Sequence, residues 1–92
     1  MNLEMMESYC NRVMKKEIDT LFGEGSNIVF KKAFPISQSK SQQLVVEIKM
    51  TDPTSLAYWP ENANLLVENA YYFVNGKSDD VKIVIQSSYE LI

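Results

Sequence analysis

Apolar positions in the first quarter of the chain recur at helical steps. Leu3, Met6, Cys10, Val13, Met14, Ile18 and Leu21 fall three or four residues apart and share one face, so residues 2–22 read as an amphipathic helix. Gly23 and Gly25 then stop it. The period next changes to two. Residues 27–34 read as a strand with Ile28, Phe30 and Phe34 on one face, Lys32 breaking the pattern and Pro35 ending it. Residues 43–50 alternate most cleanly, Leu44, Val46, Ile48 and Met50 against Gln43, Val45, Glu47 and Lys49. The polar stretch between the two strands, Ser37–Gln43, reads as a loop joining an antiparallel pair.

Asp52-Pro53 is a helix-start signal, a capping carboxylate followed by proline in the first turn, and a short helical turn is predicted over 53–58. A second helix is predicted over 61–75. Its inner face would be Ala63, Leu66, Val67, Ala70, Phe73 and Val74, and Asn75-Gly76 would close it. Residues 81–87 alternate again, Val81, Ile83 and Ile85 against Lys82, Val84 and Gln86, with Tyr89–Ile92 as an extension. The element order is α-β-β-(short helical turn)-α-β. It predicts one α+β domain over residues 1–92, a three-stranded mixed sheet packed by two helices.

Length and composition agree with this reading. The chain has 92 residues, 46% hydrophobic and 23% charged, which suits one ordered domain and argues against disorder. No apolar run approaches the ~20 residues that span a bilayer, and the N-terminus lacks the pattern of a signal peptide. One unpaired thiol, Cys10, fits a reducing compartment, so the expected location is cytoplasmic. The net charge of −3 disfavours polyanions as partners, and Arg12 is the only arginine for bidentate phosphate or guanine recognition.

The catalytic repertoire is thin. There is no histidine, which removes the commonest general base and metal ligand, and a lone cysteine excludes an intrachain disulfide. Gly23-Glu24-Gly25 follows a helix instead of preceding one. Gly76-Lys77-Ser78 lacks the upstream glycine of a phosphate loop, and Asp79-Asp80 is a weak pair for a hard cation or a turn-former. The expectation is a non-enzyme with no cofactor and no metal.

Some residues stand out of pattern. Glu17 falls on the apolar face of the first helix, where it is either a buried carboxylate or a residue at the rim. Leu65 and Tyr72, seven apart and flanked by Glu61 and Glu68, lie opposite the predicted core face of the second helix and could dock a partner; the first helix could equally cover them. Tyr58 and Trp59, with Tyr71, Tyr72 and Phe73 further on, are either binding aromatics or core filler. Val29, Ala33, Val45 and Val84 make the predicted outer sheet face half apolar. That suits helices on both faces, a dimer through the sheet, or β-propensity alone.

The element order resembles that of the bacterial-type KH RNA-binding domain. The G-x-x-G loop of that family would fall near Ala57–Asn62, where the chain reads Ala-Tyr-Trp-Pro-Glu-Asn, with no glycine and one carboxylate. The leading expectation is a small non-catalytic protein-interaction module, an adaptor, inhibitor or accessory subunit that binds another protein or itself as a homodimer. Leu65, Tyr72, Glu61, Glu68, Tyr58 and Trp59 are its candidate contacts. What the resemblance implies is the alternative, a degenerate KH-like binder of single-stranded nucleic acid using Tyr58, Trp59 and the lysines.

Overall fold

In the computed structural model, which describes residues 2–37, 41–77 and 80–89, the N-terminal amphipathic stretch does not run as one regular helix. Helix α1 (Leu3–Ser8) passes into a π-helical turn (Tyr9–Val13), and α2 (Lys15–Phe22) follows. The buried side chains explain the interruption. Met6, Cys10, Met14, Ile18 and Phe22 are the core residues of this stretch, each four from the last. In an ideal α-helix each four-residue step overshoots a full turn by about 40°, so Phe22 would end about 160° around from Met6. The wide turn, closed by the Met14 N–H on the Tyr9 carbonyl at 3.2 Å, takes up much of that drift. Val13, expected in the core, is thereby turned outward and is 66% exposed, while Phe22 is fully buried in place of a half-buried Leu21. Asn2 caps α1 by accepting the Met5 N–H at 3.0 Å.

Strands β1 (Asn27–Pro35), β2 (Gln42–Met50) and β3 (Val81–Tyr89) form one sheet in the order β1-β2-β3. β1 and β2 are antiparallel, and β2 and β3 are parallel, linked by a 3₁₀ turn (Pro53–Ala57) and helix α3 (Trp59–Asn75). This is the expected small α+β domain, a mixed three-stranded sheet with helices packed on it. Asp52 caps the 3₁₀ turn, its carboxylate accepting the Thr54 N–H at 3.0 Å.

A β-bulge accounts for the broken alternation in β1. Phe30 pairs with Val46 and Lys32 with Val45, so Lys31 is the extra residue. Beyond it the faces exchange. Lys32 and Phe34 point to the outer face, where the Lys32 ammonium lies 5.5 Å from the Phe34 ring centre, and Ala33 turns inward opposite Leu44. The expectation of Phe34 inside and Ala33 outside is corrected by this one-residue insertion.

The core lies between the inner sheet face and the helices. Ile28, Phe30, Leu44, Val46, Ile48 and Met50 pack on Met6, Cys10, Met14, Ile18 and Phe22, and on Ala63, Leu66, Val67, Ala70 and Tyr71 of α3. Each fully buried large side chain contributes about 1.5–3 kcal/mol of transfer free energy. On α3 the inward stripe is Ala63, Leu66, Val67, Ala70 and Tyr71; Phe73, predicted inside, is 66% exposed. The described helices therefore cover one face of the sheet. The outer face carries Val29, Lys32, Phe34, Gln43, Val45, Glu47, Lys49, Lys82, Val84 and Gln86, with Val45 buried among its neighbours.

Candidate functional site

Cys10 and Glu17 both have structural places. Cys10 is fully buried, its Sγ 4.0 Å from the Leu66 carbonyl oxygen. Burial, aided by the nearby Glu7 carboxylate, pushes its pKa up to about 12, so the group is a protonated thiol at neutral pH and a poor nucleophile. Glu17 is exposed, on an open depression with Lys16, Thr20 and Leu21, so it is a rim residue and not a buried acid. Among the described residues no three Cys, Asp or Glu side chains come together to hold a metal ion, and no helix is long and apolar enough to cross a membrane. Ser78 and Asp79 lie outside the described residues, as do Glu90, Leu91 and Ile92.

The Ser26 and Thr51 hydroxyls serve the fold. Ser26 Oγ donates to the Phe22 carbonyl at 2.9 Å and accepts the Thr51 N–H at 3.2 Å, while Thr51 and Asp52 both donate backbone N–H groups to Phe22. This knot joins the C-terminus of α2 to the end of β2. Gly23 sits in it at φ 106°, where a Cβ would come 2.6 Å from the Asp52 backbone nitrogen.

The expected contact residues on α3 divide. Leu65 is 62% exposed and Glu61 is exposed, as their helical position predicts. Tyr72 is half-buried, packs against the core and meets the Tyr71 ring edge-on at 5.9 Å, and Glu68 is half-buried. The stripe Glu61-Leu65-Glu68-Tyr72 is therefore not a continuous apolar ridge. Tyr58 is 71% exposed, while the neighbouring Trp59 packs on the core as a half-buried staple of the helix start. The rise of α3 sets these two about 21 Å from Phe73, so the aromatics do not converge.

A different cluster does converge, at the π turn. Met5 on α1, Tyr9, Arg12 and Val13 in the turn, and Phe73 near the end of α3 line a shallow notch of about 230 Å³ together with Ser8. Tyr9 and Phe73 stack with ring centres 4.4 Å apart and planes 25° off parallel. Met5, Val13 and Phe73 are each more than half exposed. Arg12 forms no ion pair among the described residues. Two departures from regular pattern make this patch: the π turn rotates Val13 and Arg12 outward, and Tyr71 displaces Phe73 from the core. The four-residue spacing from Met6 to Phe22 was the signal in the sequence; a stripe read at mixed three- and four-residue steps hides it.

The Asn11 side chain fixes the turn on the sheet. Its Oδ1 accepts the Ile28 N–H at 2.9 Å and its Nδ2 donates to the Ile28 carbonyl at 2.7 Å, completing both hydrogen bonds of one β1 residue. One turn earlier, Glu7 Oε1 accepts the Phe30 N–H at 2.8 Å. These clasps tie α1 and the π turn to the edge of β1.

Comparison with known proteins gives nothing to set beside this geometry: no protein-family model matches the chain, and neither the curated proteins nor the solved structures contain a significant match.

Proposed function

We propose that the protein is a non-catalytic interaction module that binds a partner protein through the notch at the π turn. The observation that carries this reading is the convergence of Met5, Tyr9, Val13 and Phe73, three of them more than half exposed, around an unpaired Arg12. Methionine, aromatic residues and arginine are the types enriched at protein interfaces. The notch is shallow and open along two helices, which suits an amphipathic helix of the partner. Arg12 calls for a carboxylate beside the apolar anchor on that helix. A protonated, buried Cys10 and a chain without histidine support a binding role over a catalytic one.

The KH-like alternative has weaker support. Tyr58 stands exposed without a second aromatic platform beside it, and Trp59 packs on the core. At the position of a G-x-x-G loop, the 3₁₀ turn runs into α3 with Pro60 in its first turn, so no glycine lets a phosphate approach the backbone.

The test is affinity capture with wild type, V13E and R12E as baits, after circular dichroism shows that all three fold alike. The expected result is a protein retained by wild type and lost with both variants. Truncation at a hot spot costs about 2 kcal/mol or more, roughly thirtyfold in affinity. Identical capture by all three baits, or none by wild type, overturns the reading.

A further inference from the structure

The two edges of the sheet are built in opposite ways. β1 is closed to further pairing. Asn11 takes both the N–H and the carbonyl of Ile28, Glu7 takes the Phe30 N–H, the bulge at Lys31 breaks the strand's regularity, and Pro35 ends it. Side-chain cover, bulges, lysines and proline are the devices by which natural sheets block an edge. β3 carries none of the backbone devices. It runs nine residues with no proline, no glycine and no register break against β2, and Lys82 is its only charged residue. Among the described residues no further strand pairs with it.

Burial points the same way. On β2 the inward residues Leu44, Val46 and Ile48 are fully buried. Their parallel neighbours on β3, Ile83 and Ile85, face the same core but are only half-buried, as is Val81. The sheet's apolar layer continues past the cover that one copy provides.

We propose that β3 is the dimerisation seam of this protein: two copies pair their β3 strands antiparallel about a two-fold axis at Val84, forming one six-stranded sheet. The central segment Lys82–Gln86 is self-complementary in this register, while Val81 lies opposite the partner's Ser87 at its end. Ile83 lies opposite the partner's Ile85 on the inner face, Val84 meets its own copy on the outer face, and Lys82 lies opposite the partner's Gln86. Moving the axis one residue to Ile85 would set Ile83 against the partner's Ser87 and Val84 against the partner's Gln86, matching apolar with polar. No like charges meet in the Val84 register. Antiparallel pairing about a two-fold keeps both helical layers on one side, so the half-buried isoleucines gain cover from the second copy. The assembly closes at two because its outer edges are then the two blocked β1 strands. This inference does not rest on the notch at the π turn, which lies on α1, the π turn and α3.

The experiment is light scattering behind size exclusion over a concentration series, with amide hydrogen exchange at both ends of the series. Wild type should show twice the 10.6 kDa chain mass and dissociate on dilution, and β3 amides pointing away from β2 should lose protection on dilution. V84K and V84E, on the sheet face away from the helices, should each be monomeric, and an equimolar mixture should re-form the dimer. A wild type monomeric at every concentration overturns the proposal. So does a dimer whose β3 amides exchange alike at both concentrations, or a mixture of V84K and V84E that stays monomeric. If the charged variants do not fold, the wild-type mass and exchange comparison decides alone.

Discussion

Replacing Asn11 by alanine removes both partners of the Ile28 backbone in one step. The two bonds are short, 2.9 Å for the N–H and 2.7 Å for the carbonyl, and Asn11 is half-buried. A typical hydrogen bond contributes about 1 kcal/mol net, and stranding a buried group costs about 1–3 kcal/mol. Ile28 itself is fully buried, but its backbone lies at a sheet edge where water can reach, so the low end applies to each group. The expected loss is about 2 kcal/mol. For a domain of this size that lowers Tm by about 8–15 °C, and with a urea m-value of about 1–3 kcal/mol/M it moves the midpoint by roughly 1 M. N11D separates the two bonds. Its carboxylate can still accept the Ile28 N–H but sets an oxygen against the Ile28 carbonyl, so its penalty relative to wild type should be larger at pH 7 than at pH 4, where a protonated acid can donate. Thermal and urea melts of N11A, N11D and wild type, with Ile28 amide exchange, provide the assay. An N11A variant within about 0.5 kcal/mol of wild type and with unchanged Ile28 exchange would refute the reasoning.

Gly23→Ala should destabilise strongly, because its φ of 106° combines with a Cβ contact of 2.6 Å to the Asp52 nitrogen, whereas Gly76→Ala, at φ 81° and ψ 163° with open space around it, should cost only the backbone strain of a glycine-favouring region, about 1–3 kcal/mol; paired urea melts check the order. Cys10 should resist alkylation in the native state at pH 8 and react at the rate of global unfolding. Its folded pKa of about 12 stands above the ordinary 9.0, so the folded state holds the proton more tightly and stability should fall as pH rises past 9.0 toward 12; a C10A variant should lose that component of the alkaline decline. Leu65→Ala should leave the urea midpoint within about 0.5 kcal/mol of wild type, while Tyr72→Ala, which removes a ring packed on the core, should cost about 1–3 kcal/mol; equal effects would contradict the packing described for α3.

The legible parts of this chain were those set by local rules. The alternation Leu44-Val46-Ile48-Met50 marks a strand, and all four of those side chains are buried on its inner face. Asp52-Pro53 and Asn75-Gly76 marked helix boundaries through capping chemistry that acts within a few residues. Element order and the α+β class follow from such signals. The site residues were less legible. Leu65 is exposed as its helical position predicts, but Phe73, expected inside, is exposed while Tyr71 takes the core position and Tyr72 is half-buried. Which of these neighbouring aromatics faces inward depends on where α3 lies against α1 and the sheet.

The sequence by itself determined the element types, their order and most of the core, because periodicity and capping are properties of neighbouring residues. Only the tertiary structure decided three further things: the π turn that turns Val13 and Arg12 outward, the bulge at Lys31 that exchanges the faces of β1, and the one-sided helical cover. Each is an adjustment of one or two residues that keeps distant apolar side chains in register with one another. A local pattern carries no information about that distant partner, and a small cost in regular hydrogen bonding is offset by burial that exists only once the layers meet.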